Sequence, residues 1–157
     1  MHRKLIWEAM LNSDMNTLYW ARMVERYTKE EFRLKIFIAF ATSATVGGWA
    51  IWDSLPWLYR ISSMAATGAS IYLPLRNHTK LIEEMAQIRR SWLEMLLTYE
   101  LIWNKGISGG FVVALDKDFE KTRKKQDAVT HKESKLPRDP KLLRQCQVEV
   151  KHRRKLK

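Results

Sequence analysis

Cysteine, glycine and proline are scarce in this chain of 157 residues, which has one Cys, six Gly and four Pro. The lone Cys146 cannot form an internal disulfide and has no neighbouring metal ligands, so neither a disulfide framework nor a cysteine-based zinc site is expected. The few glycines exclude a collagen-like chain, and the 11% aromatic content argues against wholesale disorder. The length suffices for one modest domain and excludes a large multidomain enzyme.

Recognisable catalytic motifs are also missing. The four histidines are scattered along the chain, and the sequence has no HExxH or CxxC motif and no phosphate-binding glycine loop after a strand. A catalytic site needs convergent nucleophiles, bases or metal ligands, and the sequence groups none of these. We therefore expect a protein that is not an enzyme and that has no cofactor and no metal site.

Positive charge is plentiful and unevenly placed. The chain has 28 Lys and Arg against 17 Asp and Glu, for a net charge of +11. The last 47 residues, after Gly110, carry 15 basic and 7 acidic side chains and therefore +8 of that total. An anionic partner is expected to contact the C-terminal region, where most of the positive charge lies.

Two stretches with few charges predict membrane segments. The first, IFIAFATSATVGGWAIW, has 17 uncharged residues beginning at Ile36, close to the minimum for a helix across a ~30 Å hydrocarbon layer. The second, ISSMAATGASIYLPL, begins at Ile61 and is poor in Leu and Ile, so we expect it to insert together with the first. The short turn DSLPWLY makes these a hairpin with spans at 34–52 and 57–75. The alternative is a buried hairpin of a soluble helical protein.

The charged flanks of the hairpin predict its orientation. Basic residues precede the first span and follow the second, whereas the turn holds only Asp53 and, at its edge, Arg60. Because cytoplasmic flanks carry the excess of Lys and Arg, both termini are expected in the cytoplasm. The N-terminal segment MHRKLIWEAMLNSDM is amphipathic and charged, unlike a signal peptide.

A seam of apolar residues follows the second span, with spacings that alternate between four and three as in a heptad repeat. Two partners for this seam stay open. One is the N-terminal helix of the same chain, where Trp20, Met23 and Tyr27 recur at compatible spacing, and the other is a helix of another subunit. The seam consists of Leu81, Met85, Ile88, Trp92, Met95, Tyr99 and Ile102.

The C-terminal region has short apolar runs between charged stretches. FVVAL, and the alternation of Cys146, Val148 and Val150 with polar residues, each indicate a short strand. The charged stretch between them, with Pro137 and Pro140, is typical of a linker or docking segment. Four interpretations of the final basic cluster stay open: a solvated tail, or contact with anionic lipid, a partner protein or nucleic acid. The contact candidates are Lys151, His152, Arg153, Arg154 and Lys155.

Polar side chains recur along both predicted spans at helical spacing, so each span has one polar face. One interpretation is hydrogen bonding to the helix backbone together with close packing inside the hairpin. The functional interpretation is a water-filled path between subunits. The candidate pore-lining residues are Thr42, Thr45, Arg60, Ser63, Thr67 and Ser70.

These predictions combine into an all-α membrane protein. An N-terminal amphipathic helix (1–33) leads into the transmembrane hairpin (34–76), and a cytoplasmic coiled-coil-like helix (77–105) follows. A basic C-terminal region (106–157) with candidate small strands comes last. Membrane lipid and further copies of the chain are the expected partners, because one hairpin alone encloses no pore.

The segment WARMVERYTKEEFRLK precedes the predicted hairpin, and LIEEMAQIRRSWLEMLLTYELIW follows it. With the hairpin between them, over about residues 15–104, they resemble the SLATT family of bacterial two-membrane-helix effectors. The resemblance implies an oligomeric, pore-forming effector of anti-phage abortive infection in the bacterial inner membrane. It also implies a controlling sensor protein or ribonucleoprotein. The basic region after Phe111 has no counterpart in that layout.

Two other functional classes fit the same features. A holin-like membrane toxin permeabilises the membrane on accumulation, without a second gene product. A membrane-tethered scaffold uses the basic tail to hold a partner protein or nucleic acid and leaves ion permeability unchanged. Membrane potential separates the first two classes from the third.

Overall fold

A computed structural model of the protein describes residues 2–47, 57, 61, 64, 67–68, 78–109 and 113–154. In these residues the regular secondary structure is helical and no strand occurs, which confirms the expected all-α class for this part of the chain. The four long helices that the structure describes are α1 (His2–Gly47), α2 (His78–Gly109), α3 (Val113–Glu133) and α4 (Pro140–Arg153).

The two short strands expected in the C-terminal region are wrong. Val113 begins α3, and the alternating segment around Cys146 lies inside α4. Cys146 and Val150 are buried one helical turn apart, whereas Val148 between them is exposed, so the burial follows the helical period and not the period of two. The charged stretch assigned to a linker is helical over most of its length, since it is rich in Lys, Glu, Arg and Gln, which favour helices.

The chain divides into two compact units, one formed by Met1–Val24 with Glu83–Lys157 and the other by Glu25–Ile82. In the first unit, α1 contributes a stripe of apolar side chains at intervals of three and four residues, and α2 contributes the predicted seam. The side chains that are almost completely buried include Ile6, Trp20, Met23, Met85, Trp92 and Tyr99. This aromatic-rich core holds the first unit together.

Helices α3 and α4 complete the core of the first unit. The ring of Phe119 on α3 packs against that of Tyr99, with ring centroids 5.7 Å apart. The Asp139 carboxylate caps α4 by accepting hydrogen bonds from the backbone N–H groups of Lys141 and Leu142, at 2.9 and 3.1 Å. Pro140 suits the first turn of the helix, where no backbone donor is needed. The C-terminal region is therefore a folded part of the first unit.

In the second unit, a hydrogen bond joins the helices that precede and follow the predicted hairpin. Thr79 Oγ1 donates to Glu31 Oε1 at 3.0 Å, across 48 positions of sequence. The same carboxylate pairs with Lys35 at 2.7 Å, and the rings of Tyr27 and His78 lie 6.3 Å apart. The start of α2 therefore lies beside the part of α1 around Glu31, on either side of the predicted hairpin in sequence.

The predicted membrane spans lie largely outside the described residues. Of the first, the structure describes 34–47 as the continuation of α1, so the boundary expected at residue 33 falls inside one unbroken helix. Among the residues that are described, no helix combines the length and the apolar character needed to cross a membrane.

Candidate functional site

The predicted seam on α2 is covered by other parts of the same chain. From Met85 to Ile102 its side chains are buried, and Leu81 is half-buried. Trp20 and Met23 of α1, which the sequence offered as the intramolecular partner, are buried in the same core. The sequence left two partners open for this seam, a helix of the same chain or one of another subunit. In the structure, helices of the same chain fill the seam.

A buried carboxylate at the C-terminal end of α3 joins three helices. Glu133 is only 7% exposed. Its Oε1 atom accepts a hydrogen bond from the indole Nε1 of Trp20 at 2.5 Å, and another from Nε1 of Trp92. Both indole N–H groups, which would otherwise be buried without an acceptor, are thereby satisfied.

Burial raises the pKa of the Glu133 carboxyl above its ordinary value, because a charged carboxylate loses hydration there. The hydrogen bonds from Trp92 and Trp20 and the nearby charge of Arg138 oppose this rise, since each favours the ionised form. Desolvation is the largest of these effects. Glu133 is thus a titratable group inside the core of the first unit.

The basic end of α4 is bound to acidic side chains of α1 and α2. Asp14 of α1 has a nearly buried side chain and pairs with both Arg153 and Arg154, the latter at 3.1 Å. Arg154 also pairs with Glu100 of α2 at 3.0 Å. Earlier in α4, Arg22 of α1 pairs with Glu149. These ion pairs hold the C-terminal part of α4 against the bundle.

The five residues that the sequence predicts to contact an anionic partner therefore differ in whether they are already paired within the chain. Arg153 and Arg154 are engaged within the chain, whereas Lys151 and His152 are exposed on α4. Lys155 lies outside the described residues. The surface available to a partner consists of α4 side chains that face away from α1, and it is not the whole basic cluster.

The candidate pore-lining residues lie only in part within the described residues. Thr42 and Thr45 lie in the last turns of α1, where only the backbone is described. Thr67 is helical and exposed. The remaining three lie outside the described residues, namely Arg60, Ser63 and Ser70.

Large apolar side chains are exposed along α1 where it enters the first predicted span. Phe37 and Phe40 point to solvent, and Phe40 is 73% exposed. Phe32 and Ile36, two turns and one turn before Phe40, are exposed as well. Phe32, Ile36 and Phe40 follow one another at intervals of four residues and Phe37 lies beside them, so these side chains form one broad apolar face of α1 that is exposed in the described structure.

A groove of about 490 Å³ lies between α2 and α3. Thr98 of α2 and Lys121, Thr122 and Lys125 of α3 contribute to its lining. The hydroxyls of Thr98 and Thr122 donate to backbone carbonyls of their own helices and so offer no activated nucleophile. Among the described residues, no group of histidine, cysteine or acidic side chains is arranged to hold a metal ion.

No family model, curated protein or solved structure matches the chain. Sequence reasoning missed the two polar centres of the first unit, Glu133 and Asp14, because each is assembled from positions far apart in sequence. Trp20 and Glu133 are separated by 113 positions, and Asp14 and Arg154 by 140. One available signal was the pair of core tryptophans, since a buried indole N–H requires an acceptor.

Proposed function

We propose that this protein is a membrane-embedded, oligomeric effector that permeabilises the bacterial inner membrane and is controlled by a separate sensor. The observation that carries the proposal is the exposed apolar surface of α1 around Phe37 and Phe40. A contiguous apolar surface of this kind marks contact with lipid or with another protein. The resemblance to the SLATT effectors supports the same function.

The contact between α1 and the start of α2 supports a hairpin in the segment that connects them. The hydrogen bond from Thr79 to Glu31 brings the two ends of the intervening segment together. A segment that starts and ends at one place is suited to cross a membrane twice, with both flanks on the same side. The basic flanks, among them Arg33 and Lys35, favour the cytoplasmic side.

Permeation requires several copies, because two helices enclose no water-filled path. The polar face of the second span is the proposed lining, with Ser63, Thr67 and Ser70 as its hydroxyl side chains. The folded first unit is the proposed cytoplasmic part on which the sensor acts. A sensor switches the assembly only if it binds the open and closed states with different affinity.

Membrane potential in cells that express the protein tests this function. Depolarisation is expected on induction together with the trigger, which we propose to be an infecting phage. Replacing Ser63, Thr67 and Ser70 together with Leu is expected to preserve insertion and abolish depolarisation. The matched control replaces Ser62, Ala66 and Ala69 of the adjacent face with Leu.

Each outcome of this test has a separate meaning. If the triple Leu variant at the polar face depolarises cells as the parent does, the second span does not line the path. If the parent depolarises cells on accumulation alone, the holin-like alternative replaces the sensor-controlled effector. If the parent never changes the potential, the permeabilising function is wrong.

A membrane-tethered scaffold is the second candidate, favoured by the exposed basic side chains of α4. Lys141, Arg144, Lys151 and His152 are exposed on a helix that is itself firmly attached to the bundle. A fixed basic helix can hold an anionic partner, either protein or nucleic acid. Binding without any change in membrane potential would distinguish this function from that of an effector.

A further inference from the structure

Helix α4 has one exposed face, and that face is basic. Its inner side is marked by Cys146 and Val150, which are buried against the bundle. The residues on the opposite side of the helix follow one another at intervals of three, four, three and one, and all are exposed. We call this set the basic face, and it consists of Lys141, Arg144, Val148, Lys151 and His152.

The positive charge of the basic face is not neutralised by acidic side chains. In the described part of the chain, Lys141, Arg144 and Lys151 form no ion pair. The two arginines at the C-terminal end of the same helix are, by contrast, paired with acidic residues. The one acidic residue of α4, Glu149, pairs with Arg22 of α1. The basic face therefore keeps its full charge toward solvent.

The connection between α3 and α4 adds further unbalanced charge. Lys132, Lys135 and Arg138 are exposed. The two acidic residues of this connection have other roles, because Glu133 is buried and accepts from two indole groups, and Asp139 caps α4. Across the connection and the first turns of α4, the exposed charged side chains are thus all basic.

The composition of the basic face disfavours a lipid surface as its partner. A helix that binds at a bilayer surface buries an apolar face at the boundary with the acyl chains. The apolar side of α4 is already buried in the bundle, and Val148 is the one apolar side chain on the basic face. Anionic headgroups would meet charge alone, without an apolar anchor.

An acidic protein is disfavoured for a related reason. The centres of protein interfaces are enriched in aromatic residues and depleted in Lys. Helix α4 contains no Phe, Tyr or Trp, and its basic face contains two Lys. Interfaces with nucleic acids are more polar than protein interfaces and much more positively charged. The basic face therefore fits the phosphate backbone of a nucleic acid best.

The lack of aromatic residues also favours a duplex over a single strand. Proteins hold single strands largely by stacking the bases on aromatic side chains, and α4 has none of these apart from His152. A duplex presents its phosphates outward, at one charge per ~1.7 Å of axis. From Lys141 to Lys151 the basic face is about 15 Å long at ~1.5 Å per residue. It is therefore long enough to reach phosphates on both sides of a major groove about 12 Å wide.

We propose that the basic face of α4 binds the phosphate backbone of duplex nucleic acid without reading its sequence. The helix is held in place by the cap at Asp139 and by the ion pairs of its C-terminal part, so the basic side chains form a row before the duplex binds. The inference goes beyond the permeabilising function and does not depend on it. It gives the scaffold candidate a partner of defined chemistry, which duplex DNA and duplex RNA share.

Fluorescence anisotropy of a labelled duplex tests this binding with the full-length protein in detergent. Duplexes of DNA and of RNA form separate arms, and binding in either arm supports the proposal and identifies the source. Duplexes of unrelated sequence should bind equally well, and a single strand should bind more weakly. With about three phosphate contacts, the logarithm of the binding constant should fall against the logarithm of salt concentration with a slope of about −2.7.

Two double variants test whether the basic face is responsible. Arg144→Ala with Lys151→Ala should weaken duplex binding roughly tenfold and reduce the salt slope by about two, one for each lost phosphate contact. Lys4→Ala with Lys117→Ala is the matched control, because it removes the same charge from exposed positions of the first unit outside α4. The control should bind like the parent. All four side chains are exposed, so both double variants should keep the parental melting temperature.

Several results of these titrations would overturn the proposal. Lack of binding to both duplexes would do so, as would equal losses in the two double variants, which would indicate an effect of net charge alone. A single strand that binds as tightly as the duplex would exclude the backbone of a duplex as the specific partner. Polyglutamate is the probe for an acidic protein, and it should bind far more weakly than the duplex. Equally tight binding that the Arg144 and Lys151 variant also loses would assign the face to a protein instead.

Thiol labelling separates nucleic acid from anionic lipid. With Cys146→Ala as the background, Val148→Cys places a thiol in the middle of the basic face. The protein is reconstituted in lipid discs of phosphatidylcholine, with or without phosphatidylserine. The labelling rate should be the same in both discs and should fall when the duplex is added. Slower labelling in the discs with phosphatidylserine, before any duplex is present, would assign the face to lipid and overturn the proposal.

Duplex binding and permeabilisation can fail separately. If the protein binds duplexes through the basic face but the parent never depolarises cells, the binding surface stands and the proposed permeabilising function is wrong. If the parent depolarises cells but binds neither duplex, the function stands and this inference is wrong.

Discussion

Arg154 lies within 3.1 Å of Asp14, although 140 positions separate them in the sequence. The contact joins the C-terminal end of α4 to the first third of α1. Asp14 accepts from Arg153 as well, and its side chain is nearly buried, whereas both arginines are partly exposed. Loss of the ion pairs would therefore cost more free energy at the Asp14 carboxylate than at the arginines, since an unpaired buried charge is costly.

Replacing Asp14 with Ala should detach the end of α4. The change removes the acceptor shared by Arg153 and Arg154 and should lower the free energy of unfolding by about 1–3 kcal/mol. Amide hydrogen exchange should become faster in the last turns of α4. Glu8→Ala is the matched control, because Glu8 pairs with Lys4 at 3.9 Å on an exposed face and should change stability by less than about 0.5 kcal/mol.

Replacing Glu133 with Gln should change how stability depends on pH. The folded protein raises the pKa of Glu133 above its ordinary value of 4.5, so the folded state binds more protons than the unfolded state between the two pKa values. The wild-type protein should lose stability as the pH rises through this window. Glu133→Gln lacks the titrating group and should not show this loss.

Thermal unfolding from about pH 4 to pH 8 compares the two proteins. The difference should move in favour of Glu133→Gln as the pH rises and should then level off. Glu120→Gln, at an exposed position of the same helix, is the control and should follow the wild type. A constant difference across this range would show that the burial of Glu133 does not alter its titration.

Replacing Trp92 with Phe should destabilise the first unit through the same carboxylate. The phenyl ring keeps much of the packing but has no N–H, so Glu133 keeps only the donor from Trp20. The cost should be about 1–3 kcal/mol. Trp7→Phe is the control, because Trp7 is half-buried and packs against Trp103 with ring centroids 5.4 Å apart. An equal effect of both changes would assign the loss to packing alone.

The sequence predicted which residues of α2 form the core better than it predicted their partner. The seam spacing identified Met85 to Ile102, and burial follows it. Spacing reports the apolar face of a helix, whereas the partner depends on contacts between distant segments. The sequence did not identify Glu133 or Asp14 as the acceptors of buried donors, because a charged side chain in a sequence usually indicates exposure and their partners lie more than a hundred positions away.

The strands in the C-terminal region were predicted because short apolar runs fit two periods at once. Cys146, Val148 and Val150 alternate with polar residues, but Cys146 and Val150 also lie one helical turn apart. The cap at Asp139 and the proline after it were the better signals, since both mark a helix start. The observed helix, with Cys146 and Val150 buried and Val148 exposed, agrees with these capping signals.

Replacing Asp139 with Ala should fray the first turn of α4. The change removes the acceptor of two backbone N–H groups and should cost about 1 kcal/mol. Asp139→Asn should retain most of the stability, because its side-chain oxygen can still accept. Hydrogen exchange at Lys141 and Leu142 should rise in the Ala variant and stay near the wild-type rate in the Asn variant.

Deleting residues 138–157 should unfold part of the first unit, and not merely remove a tail. The deletion takes away Cys146 and Val150, both almost completely buried, together with the ion pairs to Asp14. Exposure of the surface they cover should cost at least about 3 kcal/mol. Lys151→Glu, by contrast, reverses an exposed charge and should change stability by less than about 0.5 kcal/mol. If the signal from the sensor passes through exposed basic residues of α4, Lys151→Glu should weaken the response to infection while melting temperature and membrane insertion stay at parental values. A deletion variant with unchanged melting temperature would show that α4 does not stabilise the bundle.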